Sequence, residues 1–315
     1  MRGGDRQIDR YNRLSEHLKR RYGARVHRLV IDAGFTCPNR LKNGPCIFCD
    51  PTGSGFNTLR GLSIREQVLR QKEWASKKYG ASKFIAYFQA FTNTYAPVDT
   101  LRERYSEALV DDSIVQLAIS TRPDCVPEEV LNLLDEFRTR VDVSVELGLQ
   151  TINSKTLRIL NRGHGVAEFV DAVLRAKEHG FEIVVHVIVD LPWDELEDVV
   201  DTAKTLSYLN VDGVKIHSLY VVEDSPLGNM FREGKFQPVS LESFLDRIVA
   251  FLEHLSPSIV IHRLVSDPPK VGTLFARWGL SKTQLLSMIE TELERRNTFQ
   301  GAKFKPARGG HINRS

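Results

Sequence analysis

The chain holds only four cysteines in 315 residues, too few to staple a domain of this size with disulfides. It has no apolar run near the roughly 20 residues that span a bilayer, so no membrane partner is expected. Its start, Met1-Arg2-Gly3-Gly4-Asp5-Arg6, lacks the apolar core of a secretory signal, and a cytoplasmic location is expected. A glycine-rich phosphate fingerprint is missing too: Gly53-Ser54-Gly55 is too short, follows no strand pattern, and reads as a hinge. Strong charge of one sign is absent overall, the net being +3. Its distribution is nevertheless uneven, with nine Lys/Arg against three Asp/Glu over residues 1–28 and four against none over 301–315. Basic ends on a mildly acidic body suit a polyanion such as RNA, or are simply solvated.

What is present is an ordinary soluble composition, 42% hydrophobic and 26% charged, enough for one large domain with extensions. Short apolar β-branched runs alternate with helical periods, the pattern of repeated βα units. Strands are expected at 26–33, 83–90, 114–121, 142–151, 182–191 and 213–222, with a further one at 259–264. Helices are expected at 63–80, 98–111, 127–140, 166–179, 195–209, 240–255 and 283–296. The continuous apolar run Ile183-Val184-Val185-His186-Val187-Ile188-Val189 predicts burial on both faces and hence a parallel sheet. Six or more βα units make a closed or partly open barrel or an open doubly wound sheet, and in either the chemistry gathers at the carboxyl ends of the strands.

Three of the cysteines, Cys37, Cys46 and Cys49, fall within 13 residues directly after the first expected strand. Three thiolates fill three corners of a four-iron cluster and leave one iron open. A zinc site also uses thiolates but usually wants four donors, and a fourth would have to come from afar, from Cys125 or His164. Unliganded thiols are the remaining alternative. Pro45-Cys46-Ile47-Phe48-Cys49 fits half of a zinc deaminase signature, but neither His17-Leu18-Lys19 nor His27-Arg28-Leu29 supplies the His-x-Glu that such chemistry needs.

The ordered landmarks Gly34-Phe35-Thr36-Cys37-Pro38-Asn39-Arg40, Tyr87-Phe88-Gln89-Ala90-Phe91-Thr92-Asn93-Thr94-Tyr95, Ser120-Thr121-Arg122-Pro123-Asp124-Cys125, Glu146-Leu147-Gly148-Leu149-Gln150-Thr151 and Asn161-Arg162-Gly163-His164 resemble the radical S-adenosylmethionine (SAM) superfamily. Within it the chain is similar to the branch related to the elongator catalytic subunit, including short bacterial proteins, over most of residues 23–285. The resemblance implies a partial or near-complete (βα)6 TIM-like barrel with a C-terminal helical and strand extension. It divides the chain into a basic extension 1–25, a core barrel 26–225, a packed extension 226–300 and a basic, disordered tail 301–315. It further implies a [4Fe–4S] cluster on Cys37, Cys46 and Cys49, SAM on the open iron, and reductive cleavage of SAM to a 5′-deoxyadenosyl radical. An oxygen-sensitive site and a one-electron donor such as flavodoxin or ferredoxin go with that chemistry.

On the same terms Gln89, Thr92 and Asn93 meet the SAM amino group, unless they only cap the following helix. Phe48 and Pro192 fall at cofactor-binding positions. Glu146 and Gln150, four apart on one strand, face the same side; Glu146 bonds ribose hydroxyls or the SAM amine, or pairs with Arg122 or Arg162. Arg162 suits the methionyl carboxylate through a planar bidentate contact, or forms a surface ion pair. Lys215 and His217 share a face, and a buried Lys beside a His calls for an anion, either a substrate group or the SAM carboxylate. Glu146, Lys215 and His217 are the candidate catalytic residues; His186 reads as a satisfied core histidine and Cys125 as a small buried residue. Asp190-Leu191-Pro192-Trp193 stands where relatives often carry Gly-Leu-Pro-Gly, so a bulky ring falls where adenine would approach. The elongator subunit's acetyltransferase domain is not expected within 315 residues, and its acetyl chemistry is not carried over. The expected activity is radical remodelling of a tRNA wobble-uridine side chain, with a small metabolite or protein side chain as the alternative substrate. A zinc-stabilised, non-enzymatic RNA-binding or adaptor barrel is the third reading.

Overall fold

In the computed structural model, which describes residues 9–53 and 55–306, the alternating βα pattern becomes one sheet of seven parallel strands. A helix, α1 (Leu14–Tyr22), precedes β1 (Val26–Ile31), and the loop leaving β1 holds α2 (Pro38–Lys42). Then come α3 (Ile64–Tyr79), β2 (Lys83–Phe88), α4 (Val98–Ala108), β3 (Ile114–Thr121), α5 (Glu128–Arg138) and β4 (Asp142–Gln150). Next are α6 (Ser154–Ile159), α7 (Val166–Glu178), β5 (Glu182–Ile188), α8 (Leu196–Tyr208) and β6 (Gly213–His217). The chain continues through β7 (Tyr220–Val222), α9 (Pro226–Arg232), α10 (Leu241–His254), β8 (Val260–Arg263), β9 (Thr273–Ala276) and α11 (Lys282–Arg295).

The sheet order β1-β2-β3-β4-β5-β6-β8 curls into a half-barrel, so the expected strand at 259–264 closes the series beside β6. Strand alternation sorts the side chains. Ile183, Val185 and Val187 of β5 point out to the helices and are at most 1% exposed, each stabilising the fold by about 1.5–3 kcal/mol through burial. The opposite face of the same strands carries Arg28, Tyr87, Glu146, His186 and Lys215, so the barrel interior is polar. Helix starts follow local chemistry: Ser63 and Glu66 form a reciprocal capping box on α3, and Gly80 ends it at φ +64°.

Three expectations are corrected. The expected strand 213–222 divides after His217, because the Leu219 amide bonds the buried Asp190 carboxylate at 2.8 Å instead of a neighbouring strand. The freed β7 pairs antiparallel with β9, forming a small second sheet. The basic extension contains α1, whose Leu14, Leu18 and Tyr22 pack under Ile85, Tyr87 and Ala118 on the inner face of the sheet. Order also runs into the expected tail: the Gly301 and Lys303 amides bond the carbonyls of Leu252 and Glu253 at 3.0 and 2.8 Å. Residues 1–8, Ser54 and 307–315 lie outside the described residues. Among the described residues no helix is long and apolar enough to cross a membrane.

Candidate active site

The cysteines leave β1 on a loop that two other connections hold in place. Cys37 sits before α2, and Pro38 takes its first turn, where its missing N–H costs nothing. Asn161, at φ +53°, brings its side-chain amide within 3.0, 3.2 and 2.9 Å of the carbonyls of Asn43, Gly44 and Pro45. Asn39 donates back to the Asn161 carbonyl at 2.6 Å. Ile47 donates to Leu160 at 3.1 Å and accepts from the Leu227 amide at 2.8 Å. Gly163 makes the approach possible: its φ is +70°, and a Cβ there would stand 2.6 Å from the Asn39 side-chain oxygen. Gly163→Ala is therefore expected to cost about 1–3 kcal/mol and to push Asn39 off its carbonyl. Iron retained per chain should fall severalfold while far-ultraviolet circular dichroism is unchanged; full iron at the wild-type unfolding midpoint would show that the clamp is dispensable.

The three thiols line one cavity, about 1230 Å³ with its open mouth, at the carboxyl ends of the strands. Guanidinium groups surround them. Arg162 lies 3.2 Å from the Cys46 sulfur, 2.5 Å from the Gly148 carbonyl and 3.0 Å from His164 Nε2. Arg40 lies 3.2 Å from the Cys49 sulfur and also donates to the Asp50 carbonyl. Burial, opposed by Arg40, pushes the Cys49 thiol up to about 11, so a metal must drive its deprotonation. The remote donors considered for zinc are not there. Cys125 is buried beside Asp124 and does not line the cavity, and both ring nitrogens of His164 are engaged, by Arg162 and by the Gly165 carbonyl. Among the described residues no three His, Cys, Asp or Glu side chains converge on a single metal ion. Three cavity-facing thiols without a fourth, amid cations that would offset thiolate charge, fit an open cluster better than a closed zinc site.

Most of the expected residues meet here. Phe48, Gln89, Thr92, Gln150, Arg162, Lys215 and His217 all line the cavity. Gln150 does so through a strand irregularity beside Gly148 and a φ of +79°. Asn93 does not: it is fully buried, and its side chain bonds the carbonyls of Phe88 and Ser120 at 3.1 and 2.9 Å, tying β2 to β3. Pro192 also lies away from the cavity, and Trp193 packs 5.6 Å from the Phe236 ring in a separate apolar cluster. The bulky ring of the Asp-Leu-Pro-Trp turn therefore stays out of the site.

Glu146 lies one step below the cavity floor with no exposure. The pairings with Arg122 or Arg162 do not form; Arg122 is held by Asp124 through two 2.9 Å bonds. Glu146 instead takes Arg28 at 2.6 Å on one oxygen, and His186 at 2.7 Å and Lys215 on the other. Burial alone would raise its carboxyl, but Lys215, Arg28 and the His186 bond outweigh it and hold it well below the usual range. Burial pulls Lys215 down to about 7 against the attraction of Glu146, with Arg28 and Arg263 adding to the fall. His186 is pulled down to about 4, by burial first and Lys215 second, and stays neutral. Sequence reading missed Arg28, Tyr87, Arg40 and Arg263; for Arg28 the available signal was a charge between Val26 and Val30 on the inward face of β1.

A model described as the radical SAM superfamily matches residues 33–206, more than half of the chain. The chain belongs to the radical SAM superfamily. A second model, the radical SAM C-terminal domain, matches residues 211–295. The chain is 36% identical to the uncharacterised protein YtqA of Bacillus subtilis, covering 94% of this chain and 93% of that one. It is 25% identical to the tRNA uridine(34) acetyltransferase of Methanocaldococcus infernus over 86% of this chain and 57% of that protein. The solved Elp3 of the same archaeon, with an N-terminal deletion, superposes with a TM-score of 0.66 at 19% identity, covering 87% of this chain and 64% of that one, and shares its fold. This radical SAM enzyme thus spans somewhat over half of its acetyltransferase relative. Members of the superfamily bind a [4Fe–4S] cluster and SAM and require a reductant.

One buried acid in the enzyme carries a pH dependence. Asp190 is 1% exposed, and burial raises its carboxyl to about 7 despite the Leu219 amide and Arg247. The native state then keeps a proton that the unfolded chain gives up above about pH 4, so stability is lost as pH rises from there through 7. Asp190→Asn keeps the acceptor for Leu219 and removes the charge. Its stability relative to wild type should increase from pH 5 to pH 8 by about 2–3 kcal/mol. Urea unfolding at the two pH values checks this, and an equal difference at both would overturn it.

Proposed function

We propose that this radical SAM enzyme remodels the side chain of a wobble uridine in tRNA. The observation that carries the reading is that nearly the whole chain aligns with a protein named a tRNA uridine(34) acetyltransferase, and the basic residues 1–28 add a charge suited to RNA. In this reading Cys37, Cys46 and Cys49 hold three irons, leaving the fourth for SAM. When bound, the cluster and SAM supply reductive cleavage to a carbon radical that takes a hydrogen atom from substrate.

The chain's own residues do the rest. Arg162 and Arg40 donate toward the Cys46 and Cys49 sulfurs and offset their charge. Gln89, Thr92 and Gln150 offer polar contacts to the cofactor from the ends of β2 and β4, and Phe48 covers it from the loop. Gly148 keeps the wall low, since a Cβ there would stand 3.0 Å from Arg162 and 3.2 Å from Gln150. Lys215 and His217 face the same space from β6, on the substrate side. The electron comes from a flavodoxin or ferredoxin, and the location is cytoplasmic. The reading is tested by tRNA binding to the cluster-loaded enzyme at 50 and 200 mM salt, with wobble nucleosides compared in cells with and without the protein. Affinity should fall steeply with salt and one wobble nucleoside should change; no binding at 50 mM with unchanged nucleosides would sink it.

A further inference from the structure

The cavity wall formed by β6, β8 and the segment after β8 holds a guanidinium with no paired counter-charge. Arg263 and Ser266 both line the cavity. Among the described residues Arg263 enters no ion pair, and its bonding partner is His217, whose ring nitrogens lie 2.7 and 2.9 Å from Nη2. A neutral imidazole accepts on one nitrogen only, and His217 is held neutral by burial and by Arg263 itself. A planar fork with five donors therefore has one acceptor, and its buried Nε has none. The buried Ser266 hydroxyl is likewise unpartnered.

The surroundings do not make up the charge. Glu146 is the acid beneath this wall, and Arg28, His186 and Lys215 share it. Asp267, at the rim, is taken by Lys282 and faces Arg277 at 3.6 Å. Lys215 also donates to the Tyr87 hydroxyl at 3.0 Å, while its ammonium faces the cavity beside His217. Arg28, Arg263 and a partly protonated Lys215 against the one carboxylate of Glu146 leave an excess of positive charge in a buried wall, an arrangement that is unfavourable unless an anion completes it. A guanidinium fork next to an ammonium is the donor set for a two-oxygen anion.

We propose that Arg263, with Lys215, His217 and Ser266, forms an oxyanion subsite that binds a negatively charged group of the substrate, a carboxylate or a phosphoryl group, on the wall made by β6, β8 and the segment after β8. The proposal rests on the radical SAM reading of the site and narrows its substrate to one with an anionic group near the reacting carbon. The SAM affinity of the Arg263 variant separates this anion from the SAM carboxylate.

The test uses the cluster-loaded enzyme, with acetate and methyl phosphate as probes and acetamide as the neutral control, followed by calorimetry. Either anion should bind at least tenfold more tightly than acetamide, and Arg263→Gln should reduce that affinity at least tenfold. Tighter acetate assigns a carboxylate and tighter methyl phosphate a phosphoryl group. Ser266→Ala, a milder change, should weaken the anion a few-fold and keeps the test open if the arginine variant does not fold. Anion affinity unaltered in both variants, or binding no better than acetamide, overturns the subsite. So does a parallel loss of SAM affinity in Arg263→Gln, since the anion would then be the cofactor's own. Absence of tRNA binding with anion binding intact sinks only the tRNA reading, and the converse sinks only the subsite.

Discussion

Replacing Cys46 by alanine is expected to abolish iron retention and SAM cleavage together while leaving the half-barrel folded. Cys46 is 5% exposed, yet it belongs to the cluster loop and not to the apolar cluster between sheet and helices. The loop's other ties, from Asn161 to three carbonyls and from Ile47 to Leu160 and Leu227, do not involve its sulfur. What the variant loses is one of three thiols, one of the partners of Arg162 and a 3.7 Å contact from the Asn39 amide. Stability of the metal-free protein should change by only about 1 kcal/mol, the usual size for one polar contact. Anaerobically purified wild type should hold about four irons per chain, the variant close to none, and SAM cleavage under dithionite should fall to background. Cys125→Ala is the control: its sulfur lies outside the cavity, so iron content and cleavage should persist. One zinc in colourless wild type, or full iron in the Cys46 variant, would falsify the assignment of the cluster to this triplet.

The contrast between those two cysteines was only half legible in the sequence. Cys37, Cys46 and Cys49 declare themselves because three ligands lie close together after a strand, and the strands declare themselves because buried parallel strands are continuously apolar. Cys125 stays a candidate ligand until the fold turns it toward Asp124. Helix α1 went unseen because its buried side is narrow, Leu14, Leu18 and Tyr22 among Lys19, Arg20 and Arg21, and a stripe that thin on a basic segment looks like a solvated end. Strands β7 and β9, three and four residues long, carry too few alternations to show a period. Asn39, Asn161 and Gly163 appeared in the landmarks without a role, because their role is a contact across 122 residues between Asn39 and Asn161. The polar floor was least visible. Its members come from six different strands, β1, β2, β4, β5, β6 and β8, and only the curl of the sheet brings Arg28 to Glu146 and to His262, 2.7 Å away.

That floor carries the largest stability effect. Glu146→Ala is expected to destabilise the protein by about 3–5 kcal/mol, because it strands Arg28 and Lys215 without their counter-charge at the cavity floor. Since domains are typically stable by only about 5–15 kcal/mol, this variant should unfold at markedly lower urea or be recovered in poor yield. Glu146→Gln keeps the shape and one acceptor but not the charge, so its loss should be smaller and measurable. The decisive variant is the double change Glu146→Leu with Lys215→Met. If the carboxylate mainly compensates buried cations, removing one of them together with it should cost less than the two single changes summed, by about 1–3 kcal/mol in a double-mutant cycle. The proton on Lys215 reports the same coupling independently. Glu146 is what opposes the downward pull of burial on that amine, so in Glu146→Gln the ammonium should lose its proton below the wild-type value of about 7. Amine-selective labelling followed against pH would then show Lys215 reacting at lower pH in the variant. An additive cycle with an unmoved labelling profile would mean that Glu146 and Lys215 are not coupled, and the acid would be no more than a packing residue under the site.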